Sequence, residues 1–197
     1  MQKEIWFLFG ATFFIFVILL ALSYNLVSQK IPNFETMILE PTENFVIKED
    51  KEGKTIFNAN LGLECQIPSD WQTEKEPTTK TLFLLPPGTT IEEEGQILKK
   101  GCLIGINAQK AITGQLNALQ ETINSLKTTS QTSTSSIILV DKAEALKEEA
   151  ISFGFWQAQI SIPYKENIIY LRAISSQAEK NECSQIFKRF LDSVKLK

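Results

Sequence analysis

Apolar residues near the N-terminus form one continuous segment rather than a periodic pattern. Residues Ile5–Leu22 are almost uniformly apolar, and no charged residue occurs from Ile5 to the residue before Lys30. A helix over this segment would be roughly 27 Å long at about 1.5 Å per residue. Ser23 and Tyr24 extend it to about the 30 Å thickness of the hydrocarbon core of a bilayer. We therefore predict a transmembrane helix over Ile5–Tyr24, which makes the membrane the first expected partner.

Residues 1–29 are predicted to be an uncleaved signal anchor, with a short cytoplasmic N-terminus and an extracytoplasmic C-terminal domain. Two alternatives stay open. The small residues Ala21 and Ser23 fit cleavage after Ser23, which would release a secreted domain. Cleavage after Gly10, with a new terminus at Ala11, would resemble the processing of a pilin, although the residues before Gly10 are apolar where a pilin leader is polar.

Residues 54–197 are predicted to form one domain, preceded by a tether over residues 30–53. Prolines and the charged run Lys48–Lys54 replace helical periodicity in the tether, and the run itself indicates a solvated turn. Within the domain, several apolar segments show the pattern of strands, the clearest with the period of two of a half-buried strand. The predicted strands are Leu61–Ile67, Thr81–Leu85, Cys102–Ala108, Ile137–Val140, Ile151–Ile162 and Asn167–Ser175.

Two segments carry apolar residues at intervals of three and four, which is the spacing of an amphipathic helix. The first is Thr113–Lys127, with Thr113 as the candidate N-cap. The second follows Ser176 and Glu179, whose spacing is that of a capping box. Its apolar stripe consists of Cys183, Ile186, Phe187, Phe190, Leu191 and Val194.

The remaining segments are less regular. Thr128–Ser136 is a polar loop of low complexity, and Ala143–Ala150 fits either a short helix or a charged turn. The apolar positions of Ile151–Ile162 change face within the segment, which indicates a bulge or a bend. The order of strands, helix, strands and helix predicts an α+β domain whose helices pack on a mainly antiparallel sheet.

The composition excludes several functional classes. Twenty basic and 23 acidic residues give a net charge of −3, whereas a nucleic-acid partner calls for a basic face. The chain has no histidine, which rules out Ser-His-Asp and Cys-His catalysis and metal sites built on imidazole. A P-loop, a dinucleotide-binding glycine motif and a nucleophile elbow are also missing from the sequence. We therefore expect no cofactor and no catalytic residues.

Two short clusters are candidates for a site. Glu92, Glu93 and Glu94 offer the carboxylate oxygens that calcium prefers, but three consecutive side chains rarely converge, so a solvated acidic loop is favoured. Asp70 and Trp71 lie in a predicted turn, and tryptophan is enriched at binding hot spots. The pair is thus a candidate partner surface, although a core position is favoured for Trp71.

The three cysteines leave three interpretations open. Cys65, Cys102 and Cys183 all fall on predicted apolar faces, where free cysteine behaves as a small hydrophobic residue. Core packing is favoured, one disulfide is the alternative, and a reactive thiol is the least favoured. The scattered spacing excludes a CxxC motif and a zinc framework.

Three pieces of the chain carry a family resemblance. The first is Phe57-Asn58 with the glycine-led strand and tryptophan turn from Leu61 to Trp71, the second is the central helix between strands, and the third is Phe190–Lys195. Together they resemble the opening, the central helix and the closing stretch of the PsbP-like family of photosystem subunits and small bacterial envelope proteins. The resemblance spans residues 54–197 and implies an αβα sandwich that acts as a binding or assembly subunit. The proposed metal-binding histidines of some members have no counterpart here.

These observations favour a membrane-anchored, extracytoplasmic, non-catalytic binding or assembly module of the cell envelope. Its expected partner is another envelope protein, and the sequence does not identify it. A pilin-like or secretion-linked structural subunit is the alternative, and an atypical enzyme without histidine is less favoured.

Overall fold

The computed structural model describes residues 38–92, 97–128 and 134–197. The predicted transmembrane helix Ile5–Tyr24, the rest of the predicted anchor, Glu93 and Glu94 lie outside these residues. Within the described ranges, no helix combines the length and the apolar composition that crossing a bilayer requires.

The described residues form strands and two α-helices, and the strands pair antiparallel throughout, which confirms the predicted α+β class with a mainly antiparallel sheet. The helices are α1 (Gln115–Thr128) and α2 (Lys180–Ser193), and short 3-10 helices lie at Thr42–Asn44 and Gln177–Glu179. The strands are β1 (Ile38–Leu39), β2 (Val46–Glu49), β3 (Lys54–Asn58), β4 (Leu63–Ile67), β5 (Gln72–Glu76), β6 (Thr81–Leu85), β7 (Thr90–Glu92), β8 (Ile97–Lys100), β9 (Cys102–Lys110), β10 (Ser135–Val140), β11 (Ala143–Ser152), β12 (Phe155–Tyr164), β13 (Asn167–Ser176) and β14 (Lys195–Leu196).

These strands belong to three sheets. The large sheet has the order β10-β11-β12-β13-β9-β6-β5, and β1 also pairs with β9. A second sheet has the order β14-β4-β3-β2, and β7 and β8 form a separate hairpin. The strand β9 pairs with β13, β6 and β1, which places it in the interior of the large sheet.

The two helices pack on opposite faces of the large sheet. Consecutive residues of a strand point to opposite faces, and in β11 Leu146 lines a groove with α1 whereas Lys147 lines a groove with α2. The main hydrophobic core joins the α2 face to α2 and to the second sheet, and it contains Ile56, Trp156 and Phe187, none more than 3% exposed. The layers therefore follow the order helix, sheet, helix, which is the arrangement that the family resemblance implies.

The described part of the predicted tether is folded onto the domain. β1 pairs with β9, β2 pairs with β3, and Phe45 is fully buried in the main core. The Glu40 carboxylate accepts hydrogen bonds from Asn44 and from the buried Asn58. Pro41 precedes the 3-10 helix Thr42–Asn44, and the charged run Lys48–Lys54 lies in and beside the turn between β2 and β3. In this turn, Asp50 accepts hydrogen bonds from two backbone amides.

The segment Ala143–Ala150 is neither a helix nor a turn, because it lies inside β11. The change of face predicted within Ile151–Ile162 has a related cause: a hairpin turn at Phe153 and Gly154 separates β11 from β12. Both turn residues have positive φ, at 51° and 80°. The prediction of a bulge or a bend was wrong because the two halves of the segment belong to different strands.

Other boundaries differ by a few residues. α1 begins at Gln115, so Gly114 rather than Thr113 precedes it, and only Ile123 of its described residues is fully buried. β10 begins at Ser135, two residues before the predicted start, because Ser135 and Ser136 already pair with β11. The apolar stripe predicted for the last helix is confirmed, with Cys183, Phe187, Phe190 and Val194 buried.

Candidate binding site

An open trench crosses the α1 face of the large sheet. It has a volume of about 450 Å³, and Ser135 and Glu148 line both this trench and the groove beside α1. At the other side, Ile174 packs against a small hydrophobic cluster made by Leu85, Leu98 and Leu103, in which Leu98 comes from the β7–β8 hairpin. The trench therefore lies between α1 and that hairpin, over strands that neither element covers.

Polar side chains form the floor of the trench because of the strand register. Glu148 of β11 pairs with Gln159 of β12, and Gln159 pairs with Arg172 of β13. These three residues thus form one row across the sheet. Since neighbouring strands lie about 4.8 Å apart, the Cα atoms of Glu148 and Arg172 are separated by about 10 Å. The next residue of the row is Gly105 of β9, where a Cβ would meet the side chains of Thr81 and Phe83 of β6, so the row of polar side chains ends at Arg172.

Arg172 is exposed in the middle of a long strand, yet its guanidinium is held in place. Its Nε donates a hydrogen bond of 2.8 Å to Oε1 of Gln159. The guanidinium carbon lies 5.5 Å from the centre of the Tyr170 ring, within the range of a cation–π contact. Gln159 on β12 and Tyr170 on β13 therefore hold the guanidinium of Arg172 at the trench.

Tyr170 is in turn fixed by residues that connect the row to α1. Gln109 Nε2 donates hydrogen bonds to the Tyr170 hydroxyl at 3.1 Å and to Oε1 of Gln115 at 3.2 Å. Burial raises the pKa of Tyr170 above its ordinary value, and the positive charge of Arg172 acts in the opposite direction. The Tyr170 hydroxyl is thus protonated at neutral pH and acts as a neutral hydrogen-bonding group.

On the opposite face of β11, the negative charge of Glu149 is balanced by two lysines. Glu149 forms ion pairs with Lys147 at 2.6 Å and Lys180 at 3.6 Å, and its Oε2 accepts a hydrogen bond of 3.1 Å from Nε1 of Trp156. Burial acts to raise the pKa of Glu149, but the hydrogen bonds from Lys147 and Trp156 and the two positive charges outweigh it, so the pKa is lowered. By contrast, the exposed Glu148 and Arg172 have no ion pair with any residue that the structure describes.

The predicted candidate residues lie elsewhere. Trp71 is 8% exposed and packs in the main core, with Lys54 Nζ donating a hydrogen bond of 2.6 Å to its carbonyl oxygen. Only Asp70 of that pair is exposed at the turn, so Trp71 contributes packing rather than a partner surface. Glu92 ends β7 and forms an ion pair of 2.9 Å with Lys99, and no metal-binding group of acidic or cysteine side chains occurs in the described ranges.

The structure also decides among the interpretations of the cysteines. Cys102 and Cys183 form a disulfide that joins the start of β9 to α2, and their sequence separation is 81 residues. Cys65 is a free cysteine in the main core. Burial, together with the negative charge of Glu64, raises the pKa of the Cys65 thiol to about 12. Cys65 is therefore a packing residue and remains a thiol at neutral pH.

The residues of the trench do not stand out in the sequence as a site. A signal was nevertheless present, because Arg172 is the only charged residue of the predicted strand Asn167–Ser175. Gln157 and Gln159 alternate with apolar residues in the preceding strand. A charge in the middle of an otherwise uncharged strand indicates that one face of the sheet meets solvent or a ligand. Chemically, the row offers guanidinium donors, carboxylate acceptors and amides that can do both.

No protein-family model matches the chain, and no curated protein matches it. Several solved structures are similar. A crystal structure of a protein from Bacteroides thetaiotaomicron has 10% identity and a TM-score of 0.46, over 74% of this chain and 49% of that protein. Cyanobacterial PsbP (CyanoP) from Synechocystis has 7% identity and a TM-score of 0.46, over 85% of this chain and 98% of that protein. LpqN of Mycobacterium tuberculosis, described as involved in cell envelope biogenesis, has 14% identity and a TM-score of 0.41, over 80% of this chain and 89% of LpqN.

A PsbP is thus among the solved structures to which the chain is similar, as the sequence resemblance predicted. The chain spans about half the length of the Bacteroides protein and nearly all of CyanoP. The similarity concerns the fold and carries no statement about function.

Proposed function

We propose that this chain is a membrane-anchored, extracytoplasmic binding module and that the trench on the α1 face holds its partner. The observation that carries this proposal is the row of polar side chains Glu148, Gln159 and Arg172, on strands that neither α1 nor the β7–β8 hairpin covers. An antiparallel sheet can keep one face in water, so an open face alone does not mark a site. What supports a site here is that Arg172 on this face is held by Gln159 and Tyr170.

Two further observations support the location. The segment Ile5–Tyr24 is long and apolar enough to act as an anchor. The Cys102–Cys183 disulfide suits an oxidising compartment, since disulfides are rare in the cytosol. An assembly role fits the same features, because the row provides hydrogen-bonding groups rather than an activated nucleophile.

Site-specific photocrosslinking in intact cells tests this proposal. A photoreactive residue replaces Gln157 at the trench in one full-length variant and Gln185 on α2 in the other. Both are exposed glutamines, and they lie on opposite faces of the large sheet. We expect a discrete adduct with an envelope protein at Gln157 and none at Gln185. Equal adducts at both positions, or adducts with cytosolic proteins, would contradict the proposal.

A further inference from the structure

The chemistry of the trench identifies a class of partner, if the trench is the binding site as proposed above. Its floor carries one fixed positive group and one negative group, Arg172 and Glu148, in a single row. Both side chains are exposed, and Gln159 lies between them. A ligand that matches this floor carries an acidic residue and a basic residue whose backbone positions correspond to those of Arg172 and Glu148, whose Cα atoms lie about 10 Å apart across three neighbouring strands.

We propose that the trench binds an extended peptide segment with an acidic side chain towards Arg172 and a basic side chain towards Glu148. In the polyproline II conformation, residues three positions apart lie on the same side of the chain, separated by about 9 Å. This separation fits the row. The side chain of Gln159, and that of Gln157 beside it in the trench, offer amide donors and acceptors to the peptide backbone between the two charges.

Charge complementarity decides in favour of this occupant over a purely acidic or purely basic segment. A purely acidic segment would place a carboxylate against Glu148, and a purely basic one would place an ammonium group against Arg172. Glu149, the neighbour of Glu148 on the other face of β11, already has Lys147 and Lys180 as ion-pair partners. The opposite charges of the trench have no such partners among the described residues and are available to a ligand.

The test uses the full-length chain in detergent micelles and four fluorescent peptides of one length with blocked ends. One peptide carries Glu and Lys three positions apart in a Ser/Gly background, two carry Gln in place of either charge, and one carries Gln at both positions. Fluorescence anisotropy at low salt measures each affinity. We expect the mixed-charge peptide to bind most tightly, each charge contributing a factor of up to about fivefold, as for an exposed ion pair.

Double-mutant cycles between protein and peptide make the assignment specific. Arg172→Gln should lower the affinity for peptides that contain Glu and leave the others unchanged, whereas Glu148→Gln should do so for peptides that contain Lys. Arg189→Gln is the matched control, because Arg189 is an exposed arginine on α2. Since the peptide-side changes cannot affect folding of the protein, the cycle stays informative even where a protein variant is less stable.

The inference is overturned if no peptide binds, if all four bind equally, or if Arg172→Gln weakens all four to the same extent. Such a result together with a discrete adduct at Gln157 would leave the binding site in place and reject only the class of ligand. Loss of both signals would reject the proposed function as well.

Discussion

Glu148 and Glu149 stand next to each other in β11 and point to opposite faces of the large sheet. Glu149 is surrounded by Lys147, Lys180 and the indole of Trp156, so its charge is compensated inside the protein. Glu148 has no such surroundings among the described residues. The same residue type therefore serves stability at one position and is free to meet a ligand at the next.

This difference predicts a pH-dependent effect of Glu149→Gln on stability. The pKa of Glu149 is lowered from its ordinary value of 4.5 in the folded chain, so its ionised form stabilises the fold. That stabilisation is present above pH 4.5 and is lost as the pH falls through the lowered pKa. We expect the free energy of unfolding of the variant to be about 1 kcal/mol lower than that of the unmodified chain at pH 7. This difference should disappear under acidic conditions. Chemical denaturation at a series of pH values measures both.

Glu148→Gln is the control for this prediction, because it removes the same charge from the neighbouring position. We expect its free energy of unfolding to stay close to that of the unmodified chain at every pH. An equal loss for the two variants would mean that net charge, not the Glu149 cluster, sets the effect.

The last strand, β14, pairs with β4, and a glycine directly before β4 lies against the residue that follows β14. Gly62 has a φ of 63°, and a Cβ at this position would overlap the carbonyl oxygen of Lys197, whose amide donates a hydrogen bond to Gly62. The Lys197 side chain also forms an ion pair with Glu64 of β4. The pairing of β4 with β14 therefore needs a residue without a side chain at position 62.

Gly62→Ala is expected to destabilise the chain by more than about 2 kcal/mol, because it adds a backbone clash to the strain of positive φ. Gly154→Ala is the matched variant. Gly154 also has positive φ, at 80°, but a Cβ there would meet nothing within 4 Å. Gly154→Ala should therefore lower the free energy of unfolding by only about 1 kcal/mol, through conformational strain alone. Urea denaturation compares the two, and equal losses would show that the contact with Lys197 does not matter.

Local patterns predicted the elements whose two sides differ in polarity. The strand around Leu63–Ile67 and the apolar stripe of α2 follow directly from periodicity, since each has one face in the main core. Ala143–Ala150 was undecided because it lacks such a difference: charged residues lie on both faces of β11, one set in the Glu149 cluster and the other at the trench. Pairing with β10 and β12 makes this segment a strand, and local propensity does not contain that information.

The site was hidden for a related reason. The row of Glu148, Gln159 and Arg172 exists only when three strands adopt one register, and a shift by one residue would send Arg172 into the core. The sequence instead directs attention to rare residues such as Trp71, which lies in the core. What the sequence does contain is the unusual position of Arg172 within an uncharged strand, and this becomes meaningful once the register is known.

Two features that are far apart in sequence support the proposed location. The apolar segment Ile5–Tyr24 would hold the chain in a membrane, and the Cys102–Cys183 disulfide would form only where the compartment is oxidising. The thiol state of the chain in cells is therefore a readout of where the domain folds.

Counting thiols in cells tests this location. Acid quenching, unfolding and alkylation with a mass tag should find one free thiol in the full-length chain, because Cys65 is the free cysteine. A variant that consists of residues 30–197 should remain in the cytosol and show three, the total number of cysteines. Cys65→Ser in the full-length chain should reduce the count to zero. Three free thiols in the full-length chain would contradict an extracytoplasmic domain, whereas one free thiol on a soluble chain that begins after Ser23 would instead identify a secreted protein.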